Sequence, residues 1–407
     1  MEPQLPFAAG KKIIIIGGGV AGLAFAISLR KQWPDGSAFP EIVVYERDNK
    51  ELSIGREGYS ISIRGDARSG GLQALEKMGL SDTATQQAVS QSGVDGSGGF
   101  MMWDLQWNTL LGLGNQPGIR ITRDTLRRVM IDAALSIPEV HIRWGTACSD
   151  VKLEDGIVTV VLPDGNVDQA DILIAADGAS SKIRVSVRPD DKLSFAGAVL
   201  ISGSSNFPSG QVPAPVDRNW GLVLGGGGTG FFTSPVAASR ALWSVSYLSN
   251  EPREKMKTPY SQEQVETLLE EALDRGRSFA EPFQSMVKNS DPATVKVINA
   301  MDKPPFSHAD PQSPIIFIGD ANHPVSPFAG NGANMALMDG WELATQFSKA
   351  KSLPEALTAY DKSSVSRSQA ALSQSHWSIS MAHATGVKLF LYRTSLKLIG
   401  ILTWLRG

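Results

Sequence analysis

The sequence predicts an α/β protein: a domain with a parallel sheet carries an inserted sheet-and-helix domain and is followed by a helical C-terminal segment. Three observations support this class. Buried strands run into glycine turns and then helices near Lys11 and again in the segment PIIFIGDA. Aromatic, strand-like segments occupy residues 186–294, between these two regions. The residues after 350 have a helical pattern.

The elements follow in order along the chain. KKIIIIGGGVAGLAFAISLR indicates strand, glycine turn and helix, and EIVVYERD indicates a second buried strand, which opens a βαβ unit. FMMWDLQW and TLLGLG suggest a hairpin around Asn108. A helix is predicted to begin near Thr122, and EDG and PDG turns predict an antiparallel meander over residues 141–175. A further helix is expected from about Gly332 to Ala350.

The first glycine turn has the spacing of a dinucleotide site. Gly17 permits a tight turn, Gly19 lets the backbone approach a pyrophosphate, and Gly22 lets the helix pack closely on the sheet. Glu46 closes the second strand, where a carboxylate can accept hydrogen bonds from ribose hydroxyls. The pattern predicts a Rossmann-like site for a dinucleotide without a 2′-phosphate, and both NAD and FAD qualify.

Bulk composition excludes several classes of function. The 407 residues suit two domains, and 42% hydrophobic with 19% charged residues is typical of a globular protein. A net charge of -3 and a pI near 6.0 argue against nucleic-acid binding. The single cysteine, Cys148, is expected to be buried and inert. No secretory signal or transmembrane run is visible, and a cytoplasmic location is expected.

Two later segments distinguish between the candidate coenzymes. DILIAADGASSKIR contains Asp177 and Gly178 directly after a strand, and PIIFIGDANHPVSPFAGNGANMALMDG contains Gly319 and Asp320 before a glycine-rich turn. With these three motifs in order over nearly 345 residues, the sequence resembles the class A flavoprotein monooxygenases, aromatic hydroxylases with the p-hydroxybenzoate hydroxylase fold. YERDN and PFAGNGAN resemble the branch that contains the tetracycline-inactivating monooxygenases and fungal biosynthetic hydroxylases.

The resemblance implies a non-covalent FAD site and roles for individual residues. Gly17, Gly19 and Gly22 would flank the diphosphate. The ribose and adenine would be bound by Glu46 and Arg47, the ribose and diphosphate region by Arg123, and the ribitol by Asp320. Asp177 would serve both FAD and NAD(P)H, and the remaining implied positions in the turn before the last helix are Pro327, Gly330, Gly332, Ala333 and Asn334.

The substrate pocket is predicted on the sheet of the second domain. The candidates are alternate aromatic residues and one arginine: Trp220, Phe232, Trp243, Tyr247 and Arg64. Aromatic residues in strands more often belong to a core, and a register error of one residue would exchange the two faces. Arg56 and Ser62 are further candidates for contacts near the isoalloxazine or the nicotinamide. His323 follows the motif aspartate and is expected to be structural.

The resemblance implies an NAD(P)H-dependent monooxygenase that uses O2 through a flavin C4a-hydroperoxide and acts on an aromatic or polycyclic small molecule. NADPH is the favoured reductant, bound transiently. Hydroxylation, epoxidation and Baeyer-Villiger insertion remain open. No metal site is predicted, and no catalytic side chain is assigned, because the flavin carries the chemistry. The alternatives are an FAD-dependent dehydrogenase or reductase on the same fold and a non-catalytic carrier that keeps the dinucleotide fold.

The predicted FAD-binding domain comprises residues 1–80, 105–185 and 295–350. The substrate domain comprises residues 81–104 and 186–294, and residues 351–407 form the C-terminal helical segment. Within it, residues 387–406 are apolar with interspersed basic residues. They fit either a helix that bridges the two domains, which is favoured because no lipid anchor accompanies it, or a membrane-surface helix. A monomer is expected.

Overall fold

The structure, a computed structural model, describes residues 5–50, 59–66, 70–93, 98–113, 116–308, 310 and 312–406, with side chains up to residue 402. Arg56 lies outside the described residues. The strands are β1 Lys12–Ile16, β2 Glu41–Tyr45, β3 Ser60–Arg64, β4 Ser90–Ser92, β5 Phe100–Trp103, β6 Thr109–Gly112, β7 Gly118–Thr122, β8 Val140–Arg143, β9 Asp150–Glu154, β10 Ile157–Val161, β11 Val167–Ala170, β12 Ile172–Ala175, β13 Ser194–Asn206, β14 Trp220–Leu224, β15 Thr229–Ala237, β16 Arg240–Leu248, β17 Lys296–Asp302 and β18 Ile315–Phe317.

The described helices alternate with these strands in the first half of the chain and dominate its end. They are α1 Val20–Gln32, α2 Gly71–Met78, α3 Ser81–Gln86, α4 Arg123–Leu135, α5 Lys182–Val187, α6 Gln262–Arg275, α7 Phe283–Lys288, α8 Gly332–Lys349, α9 Leu353–Ala382 and α10 Gly386–Arg406. Short 3₁₀ turns cover Pro292–Thr294, Gly319–Ala321 and Pro327–Ala329.

A five-stranded parallel sheet forms the first layer, in the order β18-β12-β1-β2-β8. Its central strands are apolar on both faces because both faces are covered. Ile13 and Ile15 pack into the core shared with α1 and α8, whereas Ile14 and Ile16 pack towards the antiparallel meander β9-β10-β11. A glycine at 340 lets α8 approach α1, since a Cβ there would lie 2.5 Å from the Cβ of Ala24.

A seven-stranded sheet in the order β17-β13-β16-β15-β14-β5-β6 forms the second layer. Most of its strands lie in sequence between β12 and β18, which makes this layer an insertion into the parallel-sheet unit. Helices α6 and α7 cover one face around Phe231 and Trp243. A smaller sheet, β3-β7-β4, lies beside it, with the hydroxyl of Ser60 on β3 donating to the carbonyl of Pro235 on β15 at 2.7 Å. This layering confirms the predicted fold class.

Strand pairing disagrees with two of the predicted domain boundaries. The boundary at 104/105 separates β5 from β6, but these strands pair through Met102 and Leu111. The boundary at 294/295 separates β17 from the sheet in which it pairs with β13 through Ile298 and Leu200. The physical reason is that an antiparallel partner is chosen by hydrogen bonding across the sheet and not by position in the chain. The division into two domains itself stays a prediction.

Several local predictions are confirmed. β5 and β6 form the expected hairpin, and α4 starts at Arg123 with the Thr122 hydroxyl accepting from the Thr125 N–H at 3.1 Å. Cys148 is buried, and burial raises the pKa of its thiol to about 11, which keeps it protonated and inert near neutral pH. None of the described helices is long and apolar enough to cross a membrane.

Candidate active site

The first glycine turn is built so that only glycine fits. Gly17 has a φ of +109°, and a Cβ on it would lie 2.4 Å from the carbonyl oxygen of Ala176. A Cβ on Gly22 would lie 2.3 Å from the carbonyl oxygen of Gly17, so α1 can pack against the turn only without a side chain. At Gly19, by contrast, an added Cβ would meet nothing within 4 Å. The backbone is therefore open for a ligand at Gly19 and crowded at the other two glycines.

Two long helices point uncapped N-termini at this region. Helices α4, α6 and α9 begin with hydroxyl caps from Thr122, Ser261 and Ser352. Helices α1 and α8 have Gly19 and Asn331 at their N-cap positions. Among the described residues neither helix has a side-chain cap, and neither has an acidic residue in its first turn. Their first N–H groups and the positive end of each helix dipole are thus available to a negatively charged or hydrogen-bond-accepting group.

Glu46 joins the glycine turn to the end of β2. Its buried carboxylate accepts hydrogen bonds from the N–H groups of Gly18 and Asp48, each at 2.8 Å, and lies 3.5 Å from Nη2 of Arg127. Gly19, Glu46 and Arg123 line the same cavity of about 50 Å³. The role of Glu46 towards a ribose stays a prediction.

Arg127 is a basic residue at this cavity that the sequence analysis missed. Its Nη2 is buried with no hydrogen-bond partner among the described residues, although the guanidinium lies close to Glu46. The signal was present in TRDTLRRVM, because residues 123 and 127 are one helical turn apart and share a face of α4. The cavity can therefore offer two guanidinium groups to a phosphate.

Arg123 connects this cavity with the third motif, which contains Asp320. Its Nη1 donates to the Tyr59 hydroxyl at 2.6 Å. Burial acts to lower the pKa of Arg123, but Tyr59 and the carboxylates of Asp320 and Asp48 outweigh it and raise that pKa. The carboxylate of Asp320 is thus an electrostatic neighbour of Arg123, which brings the first and third motifs to one cleft.

Asp320 itself faces open space. The residue is exposed to solvent, yet the surrounding protein partly desolvates its carboxyl group. This desolvation raises the pKa of Asp320, although His323 and Arg123 act to lower it. A Cβ on Gly332 would lie 3.7 Å from Oδ1 of Asp320, so the start of α8 borders the same space. A carboxylate in a recessed but accessible position is the environment expected for a ligand-binding acid.

The turn before α8 completes this edge of the cleft. Pro327 starts a 3₁₀ turn that ends at Gly330, whose φ of +57° favours glycine. Oδ1 of Asn331 is buried without a hydrogen-bond partner in the part of the chain that the structure describes. An orphaned acceptor, an uncapped helix and an accessible carboxylate fit the polar edge of a flavin, which both donates and accepts hydrogen bonds. The half-buried Ala333 lies in the first turn of α8.

Three predicted site residues have other contacts in the structure. The side chain of Arg47 is exposed, with Nε 3.6 Å from Oδ1 of Asp48. Oδ2 of Asp177 accepts from the Lys182 N–H at 2.8 Å at the start of α5, while its Oδ1 is buried without a partner. The side-chain amide of Asn334 is hydrogen-bonded to β3. It accepts from the Arg64 N–H at 2.8 Å and donates to the Ser62 carbonyl at 3.0 Å. Their roles towards a cofactor stay predictions.

Alternation along the seven-stranded sheet separates the aromatic pocket candidates. Phe232 pairs with Ser244 and faces away from α6 and α7, as does Trp220. Trp243 and Tyr247 lie on the opposite face of β16, which packs against α6 and α7, and their role in the pocket stays a prediction. Trp243 is fully buried and its Nε1–H donates to the Ser290 hydroxyl at 2.8 Å, and the Tyr247 ring lies 3.4 Å from the guanidinium carbon of Arg275.

Arg120 lies beside Trp220 and Phe232 and was not among the predicted site residues. It is buried, and its guanidinium carbon lies 6.0 and 5.5 Å from the ring centroids of Trp220 and Phe232. Its hydrogen-bond partners within the described chain are neutral oxygens only: the hydroxyls of Ser60, Ser62 and Ser234 and the carbonyl of Ser60. Burial lowers the pKa of Arg120 to about 9.

A charged arginine inside the apolar strand GIRIT was the available sequence signal for Arg120. Arg64, the arginine chosen instead, is half-buried, and its Nε donates to Asp66 at 2.8 Å. A guanidinium with a carboxylate partner is already neutralised, whereas Arg120 keeps its positive charge for another acceptor. Arg120 is therefore the better candidate for an anionic group in the cleft.

Histidines near the site are held by structural contacts. His323 lies 2.6 Å from Asp339, and His376 lies 2.9 Å from Asp302. His383 contacts the Ser246 hydroxyl at 3.0 Å and the Ile379 carbonyl at 2.7 Å. The described residues contain no group of three or more His, Cys, Asp or Glu side chains placed to hold a metal ion.

Comparison with known proteins agrees with this geometry. Residues 11–375 match the protein family described as FAD binding domain. Monooxygenase cfoF of Aspergillus candidus is 40% identical over 393 residues, which cover 93% of each chain. FAD-dependent monooxygenase vrtH of Penicillium aethiopicum is 29% identical over 395 residues, covering 90% of this chain and 91% of the relative. The chain belongs to the FAD-binding-domain family, as a class A FAD-dependent monooxygenase.

Solved structures show the same fold. Klebsiella pneumoniae HpxO, complexed with FAD and uric acid, aligns with a TM-score of 0.75 and 22% identity, covering 97% of this chain and 95% of HpxO. Tetracycline destructase Tet(51) aligns with a TM-score of 0.66 and 18% identity, covering 96% of this chain and 97% of Tet(51). The predicted family resemblance and the FAD cofactor are confirmed.

Proposed function

We propose that this monooxygenase transfers one oxygen atom from O2 to an aromatic or polycyclic small molecule, with NADPH as a transient reductant. The observation that carries the proposal is the pairing of two surfaces. The first surface carries the accessible Asp320 and the uncapped start of α8, and the second is the sheet face with Trp220 and Phe232. Strand β3 joins them, because the carbonyl of Ser62 accepts from Asn334 of α8 and its hydroxyl accepts from Arg120. This arrangement supports a flat coenzyme ring facing an aromatic substrate.

The residues of the chain would hold and orient the two partners. Gly19, Arg123 and Arg127 suit the diphosphate, because an open backbone N–H and two guanidinium groups border one cavity. Asp320 suits the ribitol hydroxyls, since a desolvated carboxylate is a strong hydrogen-bond acceptor. The start of α8 at Gly332 favours negative charge on the nearest edge of the flavin ring.

Bound FAD supplies the activation of O2, and the protein supplies placement and exclusion of water. The half-buried Phe232 and the buried Trp220, both near Arg120, would form an apolar side of the cleft and keep water from the reacting atoms. A buried Arg120 that has no carboxylate partner among the described residues favours a substrate with an electron-rich oxygen, such as a phenolate. Names of relatives, including fungal monooxygenases, support a role in secondary metabolism.

The test combines flavin content with oxygen incorporation. Purified protein should show the absorbance of oxidised FAD and should oxidise NADPH faster when a suitable member of a panel of phenolic and polycyclic compounds is added. Mass spectrometry under isotopically labelled O2 should find one labelled oxygen in the product. Substrate-stimulated oxidation of NADPH with no label would favour a dehydrogenase or reductase instead. Protein that rejects added FAD would favour a non-catalytic carrier.

The reductant can be tested separately. In the described residues one turn, at 17–22, has the dinucleotide spacing, and FAD would occupy it, so the nicotinamide coenzyme should visit transiently. NADPH should support turnover with a higher kcat/KM than NADH. Equal values, or a preference for NADH, would contradict this part of the proposal.

We also propose that the enzyme acts in the reducing cytoplasm. The support is that its single cysteine, Cys148, is a buried free thiol.

A further inference from the structure

Helix α10 leaves an apolar face uncovered. Along its 21 residues, Val387, Phe390 and Leu391 are 76%, 67% and 59% exposed. The same face continues two and three turns later through Leu398, Ile401 and Leu402, which are 57%, 55% and 54% exposed. Their spacing follows the helical period, so they lie on one face of the helix, interrupted once by the exposed Thr394 and Ser395. These six apolar residues are called the α10 stripe.

The other side of α10 is firmly attached to the protein. Leu396 is buried in a cluster with Met102, Leu110 and Leu224, and Nη2 of Arg393 donates to the Leu224 carbonyl at 2.9 Å. Tyr392 packs against Trp377 of α9, with ring centroids 5.9 Å apart. The helix is therefore preformed on the seven-stranded sheet with the stripe turned outward, and a partner needs no rearrangement to contact it.

The charges beside the α10 stripe indicate what that partner is. Helix α10 contains Lys388, Arg393, Lys397 and Arg406 and no acidic residue, although the whole chain has a net charge of -3. Lys388 and Lys397 are exposed, and on a helical projection they flank the stripe on opposite sides. An apolar face bordered by lysines is the pattern of a helix that lies in a membrane interface.

We infer that α10 docks this enzyme on an anionic lipid surface, with the helix lying in the headgroup plane and the stripe facing the acyl chains. A second copy of the chain explains the stripe less well, because two α10 helices would bring their lysines together with no acidic residue on either helix to compensate. Anionic headgroups would pair with the same lysines. Peripheral docking is also compatible with the finding that no described helix could cross a bilayer.

The test uses the full-length FAD-loaded enzyme and sedimentation with vesicles. We expect it to sediment with vesicles of equimolar phosphatidylcholine and phosphatidylserine, more weakly with phosphatidylcholine alone, and less at high salt. The double variant Leu391→Glu with Leu398→Glu should weaken binding by roughly tenfold or more, because it places charge on the face that would contact the acyl chains. Lys388→Glu with Lys397→Glu should weaken binding to the anionic vesicles only.

Val167→Glu is the matched control, since Val167 is 60% exposed and lies on β11, outside this helix. This variant should bind vesicles like the wild type. All variants replace exposed residues and should retain FAD, which absorbance spectra check. Failure of the wild type to bind anionic vesicles would overturn the inference. A dimer in sedimentation velocity that the Leu391 and Leu398 substitutions convert to a monomer, without vesicle binding, would assign the stripe to a second copy and also overturn it.

Discussion

Oδ2 of Asp339 lies 2.6 Å from Nε2 of His323 and accepts the Gly319 N–H at 2.8 Å, which ties α8 to the loop that presents Asp320. Its other oxygen accepts from Nη2 of Arg367 on α9 at 2.7 Å. Burial alone would raise the pKa of Asp339, but His323 and Arg367 outweigh it and hold the pKa well below its usual range. One fully buried carboxylate thus organises three elements beneath the cofactor cleft.

Replacing Asp339 by Asn should therefore lower the free energy of unfolding by about 3–5 kcal/mol near neutral pH, because it removes the buried negative charge that pairs with Arg367 and leaves Glu342 as its remaining carboxylate partner among the described residues. The folded-state pKa is depressed, so the carboxylate stabilises the protein above the ordinary carboxyl pKa of about 4 and loses this effect as pH falls towards the folded-state value. Urea unfolding at several pH values should show a constant deficit above about pH 5 that narrows only in acid. Asp190→Asn, on an exposed carboxyl, is the control. A deficit that grows on acidification would contradict the assignment.

Asp320→Ala should weaken FAD binding by roughly 10- to 100-fold, since a hydrogen bond to a charged group contributes about 1.5–3 kcal/mol. Equilibrium titration of FAD into protein stripped of its flavin gives the dissociation constant. Asp190→Ala changes an exposed aspartate and should bind FAD like the wild type. Unchanged affinity in Asp320→Ala would remove this residue from the predicted cofactor site.

Arg120→Met should leave the thermal midpoint unchanged or raise it while reducing substrate-stimulated oxidation of NADPH. The physical reason is that Arg120 is a buried cation with no anionic partner in the described part of the chain, and its desolvation costs free energy that an apolar side chain of similar length avoids. The surrounding serines keep a hydrogen bond among themselves, at 3.0 Å between the hydroxyls of Ser60 and Ser234. Calorimetry and steady-state kinetics on the same preparation separate the two effects.

Arg277→Met is the comparison for Arg120→Met, because the Arg277 side chain is 81% exposed and should affect neither measurement. A large drop in the thermal midpoint with normal kinetics would show that Arg120 is a structural residue and not part of the substrate pocket.

The two faces of the seven-stranded sheet should respond differently to truncation. Trp243→Ala should cost about 3–5 kcal/mol of stability, because it empties a fully buried position and removes the hydrogen bond that the Ser290 hydroxyl accepts. Phe232→Ala, on the half-buried cleft face, should cost less stability and should increase the share of NADPH oxidation that yields hydrogen peroxide instead of product. Urea unfolding and a peroxide assay measure these quantities. The reverse pattern would mean that the faces are assigned the wrong way round.

The sequence alone determined those parts of the protein whose physics is local. The turn at Gly17 needs a positive φ and the absence of a Cβ, and both requirements are written in the residue type. The start of α4 at Thr122 and the hairpin around Asn108 likewise depend on a few neighbouring residues, and both were predicted. Three local motifs in order were also sufficient to indicate the family.

Tertiary structure decided what depends on partners distant in the chain. Phe232 and Trp243 look alike in sequence, and only the pairing of β15 with β16 assigns them to opposite faces, because side chains alternate with a period of two. The same holds for Arg120, whose serine and aromatic neighbours come from β3, β14 and β15. The exposure of α10 is of this kind too: whether an apolar face is buried depends on what the rest of the chain leaves to cover it.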